Sequence, residues 1–269
     1  ATLEMAFKTI KVEPFSFPEY LLIKGKPAPE TELQRVKNAG EMEVQCGEYI
    51  RTGGLPEAIT MNQSDRSSYI KESLLEPLFY KDINVVFPSA NPDLLLKILE
   101  LLCATVGSTF QFQTMAQVLG CSHPTVASQL EILNKALLVS QLFNYSGSIV
   151  KQRRTAKKIL IADNGILTTL NPEVNVGRLA ENLVGQSINA THFWRDGEGK
   201  EIDFIIPKQK MAIEVKYQEH ITSEDEKNLN YFLERRKGWG GILITKNQES
   251  DGKIKHVPLW KWLLKQETA

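Results

Sequence analysis

Four residues towards the end of the chain have the types and spacing for chemistry on phosphate: Glu181, Asp203, Glu214 and Lys216. Side chains alternate faces along a strand. In Ala212-Ile213-Glu214-Val215-Lys216, Ile213 and Val215 therefore share a core face, while Glu214 and Lys216 point together to the other side. In the run 201–206, Ile202, Phe204 and Ile206 share one face and Asp203 points away. If these strands pair through the short connection at 207–210, Asp203 and Glu214 converge. Two adjacent carboxylates repel, and one is pushed towards protonation unless a cation lies between them. Mg²⁺ prefers oxygen ligands and is held by one or two carboxylates together with water and substrate phosphate. Lys216 could then stabilise charge developing on the phosphate. The expected chemistry is metal-assisted phosphodiester hydrolysis with Mg²⁺ (or Mn²⁺) as cofactor.

The elements that must position these groups can be read from periodicity. A helix is expected over 177–190, with Leu179, Leu183, Val184 and Ile188 as its apolar stripe. Glu181 falls on the margin of that stripe and can lean towards the sheet as a further metal or water ligand. Strands are expected at 192–195, 201–206, 211–217 and 241–245, with a helix over 224–237 and a closing segment at 257–264. Helices alternating with strands indicate an α/β domain with a mixed sheet over 163–269. Asp163-Asn164-Gly165 reads as turn chemistry.

The stretch 91–162 has the order of a winged helix-turn-helix. Asn91 caps a helix carrying Leu94, Leu95, Ile98, Leu99, Leu101 and Leu102, and Gly107 follows its end. A short helix ends at Gly120. Ser122 caps the next helix, which has Val126, Leu130 and Leu133 on one face and Thr125, Ser128 and Gln129 on the other. Strands at 137–143 and 158–162 flank a polar loop. That loop and its margins hold Lys151, Arg153, Arg154, Lys157 and Lys158, the densest basic cluster in the chain. A basic hairpin beside a polar helix suits the phosphate backbone of DNA. The helix carries Glu131 and no arginine to read guanine, so sequence-specific readout is not expected.

Residues 1–90 read as helical pieces. Ser16 can cap a helix starting near Pro18, a helix over 32–50 stops at Gly53-Gly54, and another spans 66–80. The 269 residues carry equal numbers of acidic and basic side chains, so only local patches can argue for nucleic acid. Cys46, Cys103 and Cys121 are isolated and the four histidines are scattered, which disfavours zinc and disulfide frameworks. No apolar run approaches the ~20 residues of a membrane span. A cytoplasmic protein without a membrane partner is expected. No phosphate-cradling Gly-x-x-x-x-Gly-Lys-Ser/Thr is present, so ATP is not expected to bind by that route.

Helix glutamate, strand aspartate, then Glu-x-Lys resembles the signature order of PD-(D/E)xK nucleases, including archaeal Holliday-junction resolvases. Glu181, Asp203, Glu214 and Lys216 fill those places, with Ile202 where the family has proline. Five stretches resemble the C-terminal portion of archaeal and bacterial AAA+ ATPases that carry a DUF4143 domain. They are 12–20, Gly53-Gly54-Leu55-Pro56-Glu57-Ala58, Ala162-Asp163-Asn164-Gly165, Gly177-Arg178-Leu179-Ala180-Glu181-Asn182 and Glu201-Ile202-Asp203-Phe204. The resemblance implies three units. Residues 1–90 would be the end of an ATPase core with its helical lid, 91–162 a winged-helix domain, and 163–269 a restriction-endonuclease-like domain. It also implies DNA as a partner, a homo-oligomer, and ATP only in an intact protein carrying the ATPase core that this sequence lacks. Two alternatives stand beside the nuclease. One is a non-catalytic DNA-binding module on a degenerate nuclease fold, with Asp203 and Glu214 as ordinary surface charges. The other is a protein-interaction module.

Overall fold

The computed structural model describes residues 11–146 and 157–265. The chain opens with α1 (Phe17–Ile23), α2 (Glu32–Lys37) and α3 (Ala39–Thr52). Glu19 accepts hydrogen bonds from both the backbone and the hydroxyl of Ser16, closing the expected cap of α1. The helix expected over 32–50 is two helices that meet at Asn38. Gly53, at φ +77°, ends α3. A helical run then goes from α4 (Gln63–Ser68) through wider turns to α5 (Ile83–Val86).

Next come α6 (Pro92–Ala104), α7 (Phe112–Leu119) and α8 (His123–Lys135), followed by β1 (Val139–Asn144) and β2 (Lys158–Ile161). Asn91 and Ser122 cap α6 and α8, each accepting a backbone N–H three residues on. Gly120, in the left-handed region, ends α7. Three helices and an antiparallel hairpin therefore follow in the expected order.

The remainder comprises α9 (Asn164–Leu170), α10 (Val176–Ser187), β3 (His192–Arg195), β4 (Glu201–Ile202), β5 (Phe204–Ile206), β6 (Met211–Lys216), α11 (Lys227–Glu234), β7 (Gly240–Thr245), β8 (Ile254–Pro258) and α12 (Leu259–Leu264). The strands form two mixed sheets, ordered β2-β1-β3-β4 and β5-β6-β7-β8.

Two differences from the expected layout bear on the site. β3 does not join the sheet of β6 and β7. It runs parallel to β1, so the hairpin and the C-terminal region share one sheet. The strand expected over 201–206 is interrupted at Asp203, where the chain leaves the first sheet at β4 and enters the second at β5. The interruption breaks the alternation: Ile202 packs in a small core with Ile205, Ala212, Leu229 and Phe232, whereas Phe204 packs in the main core. That main core draws side chains from all three stretches of the chain, from Phe17 to Leu263. No helix of the described residues is long and apolar enough to cross a membrane.

Candidate functional site

β5 and β6 pair antiparallel with Phe204 opposite Ile213, so the next position sets Asp203 against Glu214. The Asp203 N–H points to Glu214 Oε2 at 3.4 Å, and the Val215 N–H donates to Asp203 Oδ2 at 2.9 Å. Lys216 Nζ lies 2.9 Å from Glu214 Oε1. The pair at the centre of the expected site is thus brought together with its lysine. Both acids are more buried than an exposed sheet face would leave them, Asp203 at 9% and Glu214 at 4% exposed. Four residues of β6, Ala212 to Val215, are buried, because α10 covers one face of the sheet and α11 the other.

Glu181 reaches the same region from α10. Its Oε1 accepts from Lys158 Nζ at 3.0 Å and its Oε2 from Arg178 at 2.9 Å. Arg178 also donates to the carbonyl of Gly107, in the turn after α6. Lys158, expected on the basic hairpin surface, is instead 1% exposed, and its ammonium lies among three carboxylates: Glu201 at 2.5 Å, Glu181 at 3.0 Å and Asp203 at 3.6 Å. Glu201 and Glu181 lie within hydrogen-bonding distance of its three N–H donors, while Asp203, further off, contributes charge. Burying a lysine is costly unless it is paired, and this one is paired with three acids.

The electrostatics follow from burial and crowding. Burial, and next the charge of Asp203, push the Glu214 carboxyl above the ordinary carboxylate range against the pull of Lys216. The same two causes raise Glu181, opposed by Lys158 and Arg178. Burial works against the charge on Lys158, but Glu181, Asp203 and Glu201 outweigh it and hold the ammonium protonated. Lys216 is likewise raised: burial opposes its charge and Glu214 reverses the effect.

The expected nucleic-acid surface is only partly in place. Ser128 is exposed and Thr125 half-buried on α8. Gln129 is a correction: it is buried, accepts from the Asn91 N–H and donates to the Ser89 carbonyl, so it fastens α8 to the start of α6. Lys157 is half-buried with its ammonium over the rings of Phe112 and Phe143. Lys151, Arg153 and Arg154 lie outside the described residues.

Asp163 exceeds its expected role as a turn residue. It is 2% exposed, and its carboxylate accepts from the N–H groups of Gly165 and Gly54, each at 2.7 Å. Asn164 donates to the carbonyls of Ile50 and Leu179, and Asn182 bridges Asn164 to the backbone of Ile161. The Phe15 N–H donates to the Gly54 carbonyl. Four of the five stretches behind the family resemblance thus meet in one buried polar network that joins α3, β2, α9 and α10.

Residues 176–262 match the domain of unknown function DUF4143. Residues 44–177 match a second domain of unknown function, DUF8612. Glu181, Asp203, Glu214 and Lys216 all fall within the DUF4143 match, whereas Lys158 falls within the DUF8612 match. Among curated proteins, the chain is 26% identical over 242 residues to Uncharacterized protein MJ1637 of Methanocaldococcus jannaschii, covering 83% of this chain and 50% of the relative. It is 23% identical over 288 residues to Uncharacterized protein MJ1544 of the same organism, covering 96% and 64%. It is 25% identical over 172 residues to Uncharacterized protein Rv2008c of Mycobacterium tuberculosis, covering 57% and 38%. The chain therefore spans about half the length of these relatives. No solved structure gives a significant match.

Proposed function

We propose that the DUF4143 region is a divalent-metal-dependent phosphodiesterase acting on DNA, with a restriction-endonuclease-like fold. The observation that carries this reading is the sheet switch at Asp203, which sets its carboxylate against Glu214 with Lys216 alongside. The donor set fits a hard cation. Asp203 and Glu214 are buried oxygen donors, and burial, then the charge of Asp203, raises the Glu214 carboxyl. Among the described residues no group of three or more His, Cys, Asp or Glu has metal-holding geometry. The fit therefore rests on two carboxylates, with water and phosphate completing the shell. Glu181, the third ligand expected from the sequence, is ion-paired through both oxygens, to Lys158 and Arg178.

When bound, Mg²⁺ or Mn²⁺ supplies Lewis-acid polarisation of a phosphoryl oxygen. Asp203 and Glu214 would hold that cation. Lys216, one-third exposed at its side chain beside Glu214, would present its ammonium to a non-bridging phosphate oxygen. The helices α6–α8 and the β1–β2 hairpin are read as a winged helix that places DNA against the site, with Thr125, Ser128 and Lys157 towards the backbone phosphates. In a longer protein, an AAA+ ATPase core would couple ATP to this module.

The test is cleavage of duplex, branched and single-stranded DNA with Mg²⁺ or Mn²⁺. Wild type should cut at least one of these substrates. Asp203→Asn should lower the rate by ~10³-fold or more while its thermal midpoint stays within a few degrees of wild type. No cleavage of any substrate by wild type would sink the catalytic claim. A second reading, a non-catalytic DNA-binding module, is favoured by one observation: Lys158 already sits as a cation among the acids. DNA binding without cleavage would select it.

A further inference from the structure

We propose that Lys158 is a positioning residue that acts as a resident cation: it occupies the space between Glu181, Glu201 and Asp203 and confines a divalent ion to the Asp203–Glu214 side. The inference rests on the reading of Asp203 and Glu214 as cation-binding, and it concerns a residue that the family signature does not include.

The three acids come from three places, α10, β4 and the sheet switch, and no backbone ladder binds α10 to that switch. Lys158 comes from a fourth, the first residue of β2. Glu201 and Glu181 are held tightly and Asp203 more loosely, at 3.6 Å. Asp203 is thus shared: Oδ1 faces Lys158, while Oδ2 accepts from Val215 beside Glu214. Neither Arg178 nor Arg195 can replace Lys158, because each is ion-paired to one of the three acids, Glu181 and Glu201 respectively. Without Lys158, three carboxylates would face one buried space with no cation common to them. A divalent ion would then be the natural substitute, since it prefers clustered oxygen ligands.

β2 is antiparallel to β1, and the residue before it pairs with Phe110, so the position of Lys158 is fixed by the hairpin and the helical unit. Anything that shifts the hairpin shifts the cation, and with it one partner of Asp203. The two matched regions therefore form one site instead of a reader joined to a cutter.

The experiment measures Mn²⁺ binding by the full chain, using the free-ion signal in electron paramagnetic resonance, together with thermal melting. Wild type is compared with Lys158→Met and Lys158→Arg. Wild type should bind one Mn²⁺ per chain. Lys158→Met should bind a second ion, or the first ~10-fold more tightly, and its midpoint should rise with Mn²⁺ more than that of wild type. Lys158→Arg, which keeps the charge, should bind like wild type. A folded Lys158→Met with wild-type stoichiometry and affinity would overturn the proposal. If Lys158→Met does not fold alone, millimolar Mn²⁺ should restore its near-ultraviolet circular dichroism where NaCl of equal ionic strength does not, and failure of that rescue would also overturn it. Binding by Lys158→Met and none by wild type would overturn the confinement of an ion to the Asp203–Glu214 side. Absence of DNA cleavage would sink the nuclease reading and leave this result standing.

Discussion

Asp163 shows how much one buried acid can organise. Its two oxygens satisfy backbone N–H groups more than a hundred residues apart in the chain, at Gly54 and Gly165. Burial raises its carboxyl to about 6, against hydrogen bonds from Gly54 and Gly165 that favour the ionised form. A group raised in this way binds its proton more tightly folded than unfolded. Its contribution to stability therefore falls as pH rises from about 4 to about 6. Asp163→Asn should cost ~1–3 kcal/mol, because the amide keeps one acceptor and sets an N–H₂ against a donor. The difference in urea midpoint between wild type and this variant should be larger at pH 4.5 than at pH 7, and a gap that widens with pH would exclude Asp163 as its source. Lys158 teaches a related lesson. In sequence it is the last member of a basic run, yet its charge faces inwards because three acids, each on a different element, await it.

At the level of elements, the turn after α3 matters most. Gly53 has φ +77°, and a Cβ there would stand 2.2 Å from Asp163 Oδ1. Gly53→Ala meets both a strained backbone and a buried carboxylate. It should lower stability by ~3–5 kcal/mol in urea unfolding. Gly47, within α3, has open space around its Cβ position, so Gly47→Ala should be neutral or stabilising by up to ~1 kcal/mol. Equal effects of the two substitutions would remove the steric account of the Gly53 turn. The interruption between β4 and β5 is the other decisive element. It gives Ile202 and Phe204 to different cores and places Asp203 where two sheets meet.

On the scale of the whole molecule, the unit expected over 163–269 does not own all of its sheet. β3 pairs with β1, β2 lies beyond it, and α10 is tied through Asn182 to Ile161 of β2. A fragment of residues 163–265 would expose the β1 side of β3, leave Asn182 without its backbone partners and strip Lys158 from the acids. It should show no cooperative thermal transition by circular dichroism, in contrast with the full chain. A cooperative fragment would show that the shared core adds only a minor share of the stability. The two family matches meet near residue 176, at the start of α10, and the polar network joins one side of that boundary to the other.

Much of the site was legible in the chain itself. Periodicity and caps located α1, α6, α8 and α10. Pairing of the two strands through the short connection at 207–210 was a condition for Asp203 to meet Glu214, and Glu-x-Lys put Lys216 on the same face as Glu214. Local rules reach such features because the interacting residues lie on one hairpin. They do not reach Lys158, Gln129 or the sheet switch, since burial there is decided by what arrives from distant segments. Lys157 and Lys158 are identical in type and adjacent in sequence. One lies half-buried over aromatic rings, and the other is enclosed by Glu181, Glu201 and Asp203. Only the tertiary structure could separate them, because the free energy that makes a buried lysine tolerable comes from acids 23 to 45 residues further along the chain.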